Sequence, residues 1–346
     1  MRLLAFVACC CVILCCVVNS YSISRLTSPK NEETSSTVES GETAPTAEGE
    51  EIASTVESEE IASTVESEKP VAAPESEKTA DLGPVASEIL NVIHFPFDSG
   101  KAAGERCVAI TSGAEFAFRW VPAGTFTMGS PEDEEERDSY ETQHEVTLTK
   151  GFWILETETT QAMWQGVMGE NPSKWQGENK PVDSVGLDEI DVFCAKWREA
   201  ANAPEGVVVQ LTTEAQWEYA ARAGSADMYG GKSIDEVAWY GDENGDGTHD
   251  VGTKEPNAWG IFDMVGNLWE WCSDRYDAYA TDDEGKGLVA VDPTGATLEQ
   301  CPGDVRVDRG GCWDSKPYEC RVANRGFYDH DRKGPYVGFR FVVIPE

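Results

Sequence analysis

The stretch GIFDMVGNLWEWCSD, residues 260–274, decides how this chain is read. It holds Asp263, a Gly266-Asn267 turn, Glu270, and two tryptophans, Trp269 and Trp271, on either side of that Glu. Glycine supplies a turn with backbone conformations that other residues resist. A turn that sets an Asp and a Glu beside exposed carbonyls can make an oxygen cage for a hard cation such as Ca²⁺. In an extended segment the two tryptophans share one face and Glu270 takes the other. The same residues also suit a buried, Trp-rich hairpin with a solvated Glu, and spacing alone leaves both readings open.

Around this stretch lie 346 residues with a formal net charge of −36. That balance offers no basic face to nucleic acid and no attraction to anionic lipid. It favours a soluble chain that draws cations. Residues 1–20 have the form of a secretory signal: Arg2, an apolar run over 3–18, and small residues suited to cleavage at 18–20. The run is short for a membrane span, so the expected mature chain is exported, to the periplasm, the cell surface or the medium, with no span left after signal removal. Five of the eleven cysteines lie in that segment. The other six, Cys107, Cys194, Cys272, Cys301, Cys312 and Cys320, are an even number, which in an exported protein suits disulfides of undetermined pairing.

Residues 21–90 differ in kind. EETSSTVES (32–40) and EEIASTVES (50–58 and 59–67) form a nine-residue repeat, and no aromatic follows Tyr21. Such a segment buries too little apolar surface to offset the entropy of ordering, and it reads as a disordered acidic spacer. Order is expected to begin between residues 88 and 118, so the chain divides into a signal (1–20), a spacer (21–90) and a folded domain (91–346).

Within that domain the pattern predicts strands at 93–97, 107–110, 116–121, 125–128, 144–149 and 152–155, with a turn at Pro122-Ala123-Gly124. Residues 132–136, an unbroken acidic run, read as a solvated face. Helices are predicted over 159–168, over 187–200 with Ile190, Phe193, Cys194 and Trp197 as one stripe, and over 213–223 with a Thr cap. Beyond Gly224, turns dominate, with short strands at 237–240, 288–291, 305–307 and 338–343. Long irregular segments in a compact domain need pinning, and the cysteines and carboxylate-rich turns are the candidates.

Asp242–Gly247, DENGDG, matches the opening of a calcium loop, with Asp242, Asn244 and Asp246 at alternate positions. The twelfth position is Thr253 rather than a bidentate Glu, and the same residues also make an ordinary polar turn. The four histidines lack metal-binding spacing. No phosphate loop or nucleophile elbow is present. In RVDRGGCWDSKPYECRVANR (306–325), Cys312 and Cys320 follow a Gly-Gly turn in a segment carrying Arg321 and Arg325. Nearby guanidinium charge would activate an exposed thiol, whereas a disulfide or a buried thiol would be inert.

Six motifs in order, FRWVPAGTFTMGS (118–130), QLTTEAQWEYAARAG (210–224), the 248–274 segment, RVDRGGCW (306–313), CRVANR (320–325) and VGFRFV (337–342), resemble the formylglycine-generating enzyme, or sulfatase-modifying factor, family. The resemblance implies an irregular α+β fold, remotely like C-type lectins, with little regular structure and bound calcium. It assigns calcium to Asp263, Gly266, Leu268 and Glu270. It also implies oxidation of a protein cysteine to formylglycine, with O₂ and a copper held by two cysteines. Here the second of those positions is Cys320, but the first is Ser315, and Cys312 stands where the family has Ser. Soft Cu(I) needs thiolates, which Ser315 cannot supply; a shifted Cys312/Cys320 pair is the catalytic alternative. Two functions follow: a sulfatase-modifying-factor-type oxidase acting on a protein or peptide, or a non-catalytic, calcium-stabilised binding module with a lectin-like surface for a glycan or protein ligand.

Overall fold

The computed structural model describes residues 97–242 and 245–346; the signal-like segment, the repeats and Asn244 lie outside them. Strand β1 (Arg106–Thr111) turns back on β2 (Ala114–Val121) through Ser112-Gly113, both at positive φ, as a two-residue hairpin of the twisted kind requires. β2 pairs with β5 (Phe152–Leu155), and β12 (Phe341–Ile344) lies between β5 and β6 (Val208–Leu211). All neighbours in this five-stranded sheet are antiparallel. A second sheet has the order β10 (Gly326–Asp329), β9 (Val305–Arg309), β7 (Trp269–Arg275), β11 (Val337–Gly338), the last parallel to β7. A third joins β3 (Gly124–Met128), β4 (His144–Leu148) and β8 (Ala290–Val291).

Helix α1 (Gln161–Met168) starts where the Thr160 hydroxyl accepts from the Met163 N–H and stops at left-handed Gly169. Helix α2 (Leu187–Ala200) keeps the predicted bounds, with acidic Asp188 and Glu189 at its N-terminal end and Arg198 in its last turn. Its stripe of Ile190, Phe193, Cys194 and Trp197 is buried under the first sheet. There Trp197 meets Phe116, Phe118 and Phe341 edge-on or tilted, with ring centroids 5.1–5.7 Å apart. Helix α3 (Glu214–Arg222) carries a capping box: Thr213 Oγ1 accepts from the Gln216 N–H, and Gln216 accepts in return from the Thr213 N–H. No helix among the described residues is long and apolar enough to cross a membrane.

Three predicted elements change. Residues 237–240 are not a strand: Ile234–Val237 forms a short helical turn, α4, begun by Ser233 and Glu236, and only Trp239 makes a bridge, to Gly266. The Ser-x-x-Glu spacing was the missed signal. The strand at 338–343 is two strands in different sheets, because Phe339 and Arg340 carry the chain from β11 to β12. The strand at 288–291 shrinks to Ala290–Val291, and of the 93–97 strand only Phe97 is described, outside any strand. The acidic run at 132–136 is not wholly solvated either. Glu134 turns inward to Arg321 Nη1 at 2.7 Å, and Glu141 meets both Arg321 Nη atoms at 2.8 Å.

Helix α3 is buried along its whole length, polar residues included. Arg325 grips Glu214 through two hydrogen bonds of 2.6 and 2.9 Å, and Arg309 bridges Glu218 and the Asn324 carbonyl. Burial pushes the Glu214 carboxyl up, but Arg325 and Arg309 outweigh it and hold it below its usual value. Asp274 has no such partner. Its Oδ2 accepts from the Glu214 N–H at 2.9 Å, and burial with the Glu214 charge pushes the carboxyl up to about 7. A carboxyl raised on folding stabilises the fold while protonated, fully below its unfolded value of about 4, and that contribution is lost as pH rises through the folded value. Asp274→Asn is therefore expected to flatten the decline in stability between about pH 4 and 7, read from urea midpoints across that range.

Candidate functional site

Two turns meet under β7 and β9. Gly266 and Asn267 both have positive φ, as do Gly310 and Gly311. The Gly266 N–H donates to the Gly310 carbonyl, and the Trp313 N–H to the Asn267 carbonyl, each at 2.8 Å. Gly311 is required by space: a Cβ there would strike the Cys320 sulfur. The first turn is held from beneath by Glu158, which the sequence reading missed. Its oxygens accept from Asn267 Nδ2 at 2.6 Å and from the Leu268 N–H at 2.9 Å. Glu158 lies 109 residues from Asn267 along the chain, so no local spacing announces it.

Glu270 is not the solvated residue of the hairpin reading. It is 1% exposed and forked by Arg340, with Nε and Nη2 at 2.7 and 2.6 Å; Trp217 Nε1 donates to it at 2.8 Å. Arg340 Nη2 also reaches the Phe262 and Asp263 carbonyls at 3.0 and 3.2 Å. Asp263 sits in a left-handed conformation and accepts the Gly252 N–H at 2.6 Å. Thus Glu158, Asp263 and Glu270 are three buried carboxylates around one guanidinium. Burial, then the Asp263 and Glu270 charges, drive Glu158 well above its usual value, and burial pushes Asp263 up to about 6. The set carries surplus negative charge and hard oxygens, which suits a divalent cation near Asp263 and the Gly266 and Leu268 carbonyls. Glu270, the fourth expected ligand, accepts from Arg340 and Trp217 here. Among the described residues no three His, Cys, Asp or Glu side chains converge as a ready metal site.

Of the 242–247 loop, residues 242 and 245–247 are described. Both Asp242 oxygens accept backbone N–H groups, from Gly245 at 3.0 Å and Gly247 at 2.9 Å, and Asp246 points to solvent.

After the Gly-Gly turn the chain passes Cys312 and Ser315 and enters a 3₁₀ turn, Pro317–Cys320. Ser315 Oγ lies 3.1 Å from the Cys312 N–H and 3.6 Å from its sulfur. Cys312 and Ser315 line a cavity of about 190 Å³ with Trp269, Asp308, Tyr328 and Tyr336. Cys320 is not on that wall; it is fully buried in the core beneath α3. Burial pushes Cys312 up to about 11; burial and then Cys312 push Cys320 higher still. Arg321 and Arg325, expected to activate these thiols, are engaged by Glu141 and Glu214 instead. Cys194, Cys272, Cys301, Cys312 and Cys320 are free thiols, so the disulfide expectation fails for them. With only Cys312 facing the cavity, the Ser315 hydroxyl beside it and Cys320 behind it in the core, the wall does not offer the two thiolates that a copper pair needs.

The profile of the sulfatase-modifying factor enzyme 1-like domain matches residues 113–344. The chain belongs to that family. It is 28% identical over 249 residues to chaperone protein LppX of Paenibacillus barcinonensis, covering 57% of this chain and 81% of the relative. Against the formylglycine-generating enzyme of Mus musculus identity is 25% over 304 residues, 70% of this chain and 77% of that one. Among solved structures, Treponema denticola variable protein 1 superposes with a TM-score of 0.61 at 27% identity, over 69% of this chain and 99% of that one. The irregular α+β fold expected from the motifs is the fold observed.

Removing the central guanidinium leaves three carboxylates buried together. Arg340→Met is expected to destabilise by roughly 3–5 kcal/mol at neutral pH. The loss should shrink near pH 5, where the stranded carboxyls take up protons, and urea unfolding at both pH values measures it.

Proposed function

We propose that this chain is a binding member of the sulfatase-modifying factor family, one that keeps the family's cleft and has given up its copper chemistry. The observation that carries this reading is the cleft wall: the Ser315 hydroxyl stands beside Cys312 where a second thiol would be needed, while Cys320 lies in the core off that wall. A hydroxyl is a poor ligand for soft copper. The relative named as a chaperone protein supports a polypeptide ligand. The apolar start of the sequence and its acidic spacer support an exported protein that carries this domain on a tether.

The test is a Cu(I) competition assay with turnover of a sulfatase-type cysteine peptide under O₂. The expected result is copper affinity no greater than that of Cys320→Ala and no formylglycine. Tight copper binding that falls in Cys320→Ala, with aldehyde formed in the wild type, would restore the oxidase reading.

Calcium belongs to the same proposal, as a structural ion. Asp263 and the Gly266 and Leu268 carbonyls would hold it, neutralising the surplus charge around Arg340. Millimolar Ca²⁺ is then expected to raise the melting temperature and EDTA to lower it, with the difference gone in Asp263→Ala. A wild-type melting curve indifferent to both would remove calcium from the account.

A further inference from the structure

Asp308 is the last residue but one of β9, fully buried, and no other residue among those described hydrogen-bonds either of its carboxylate oxygens. This is costly: an unpaired buried polar group loses its hydration without return. The other buried carboxylates near the two turns all have donors. Glu158 has Asn267, Glu270 has Arg340, Glu214 has Arg325 and Glu218 has Arg222. Nor is Asp308 a filler of apolar space. It packs against Gly326, where any Cβ would collide with its Oδ1, so the strand opposite is cut away to make room for it.

Asp308 is one of the residues that line the 190 Å³ cavity beside Cys312 and Ser315, its oxygens lying at the buried back of that wall. Trp269, Tyr328 and Tyr336 are its aromatic walls, and Tyr336 is fixed by stacking on Trp313 with ring centroids 5.2 Å apart. Asp314 and Glu319 add two further carboxylates to the lining, against one basic residue, Arg332. Arg332 is exposed and lies across the Tyr328 ring, 3.4 Å from its centroid, a demonstration that this wall accepts a cation on its face. Aromatic faces and an unpaired anion in a small cavity are the complement of a compact cation that also brings N–H donors.

We propose that this cavity is a binding site for a protonated primary amine, with Asp308 as the group that accepts its N–H bonds and Trp269, Tyr328 and Tyr336 as its cage. The amine is free or is the side chain of a lysine; both present the same ammonium on an alkyl stem. A carboxylate or phosphate ligand is excluded by the charge of the lining. The proposal rests on the binding reading above in using the same cleft, yet it stands or falls by a separate measurement, because the copper assay does not involve Asp308. Burial pushes the Asp308 carboxyl up to about 8, so at lower pH the amine must displace a proton to bind.

The experiment is calorimetric titration of the full chain at pH 8.5 with 1,5-diaminopentane, with N-acetyl-lysine methylamide, and with 1-pentanol as a neutral control. Saturable binding of either amine, at least tenfold tighter than the alcohol, is expected. Asp308→Asn, which keeps the side-chain volume and removes the charge, should weaken it tenfold or more, and Arg332→Gln should strengthen it by removing the resident cation. Binding of the free amine alone identifies a small-molecule ligand; binding of the lysine derivative as well identifies a protein side chain. No binding of either amine to the wild type at millimolar concentration, or amine binding that Asp308→Asn leaves unchanged, overturns the proposal. The wild-type comparison of amine with alcohol decides the matter even where Asp308→Asn fails to fold.

Discussion

Arg340 makes no contact with solvent, and its guanidinium joins segments that are far apart in sequence. It meets the Leu155 carbonyl at the end of β5, the Phe262 and Asp263 carbonyls in the loop before β7, and both oxygens of Glu270 in β7. It also stands where the chain leaves the second sheet and enters the first. A guanidinium suits this post because its donors are fixed in a plane and cannot lose their charge. In low dielectric the arrangement holds only while every partner is in place, which couples the two sheets and the turn at 266–267 into one constraint.

The cleft inherits its shape from that constraint. Glu158 sets the first turn, the first turn hydrogen-bonds the Gly310-Gly311 turn, and the second turn presents Cys312 and Ser315. Charge is distributed in the same scheme. Around α3, carboxylates meet arginines nearly one for one, so Glu214 is held low. Around Arg340 and at Asp308 anions outnumber donors, and there Glu158, Asp263 and Asp308 are held high. The first arrangement binds the molecule together. The second leaves places where an external cation gains what the chain does not supply.

The two thiols sit in different settings. Cys320 lies behind Gly311, enclosed by the core. Cys312 faces the cavity beside the Ser315 hydroxyl. The cavity itself has aromatic walls, Trp269, Tyr328 and Tyr336.

Much of this was legible in the sequence. The stripe of α2 and the Thr213 cap of α3 are local periodicities and local hydrogen bonds, and both elements lie where those signals put them. The six ordered motifs identified the family, and several of them hold turns whose glycines, such as Gly266 and Gly311, are demanded by close approach. The turn at 260–274 was likewise recognisable, but whether Glu270 faced water, a cation or an arginine was not, because Arg340 lies 70 residues away. The same distance rule hid Glu158 and the engagement of Arg321 by Glu141, 180 residues apart. Asp308 was in view as one letter of RVDRGGCW; only the packing of β9 against Gly326 left it buried with no donor. Sequence by itself determined the helices, the turns and the family, since these rest on neighbours along the chain. Which charges are satisfied and which are left open was decided by tertiary structure alone, because burial and long-range pairing exist only once the sheets have closed.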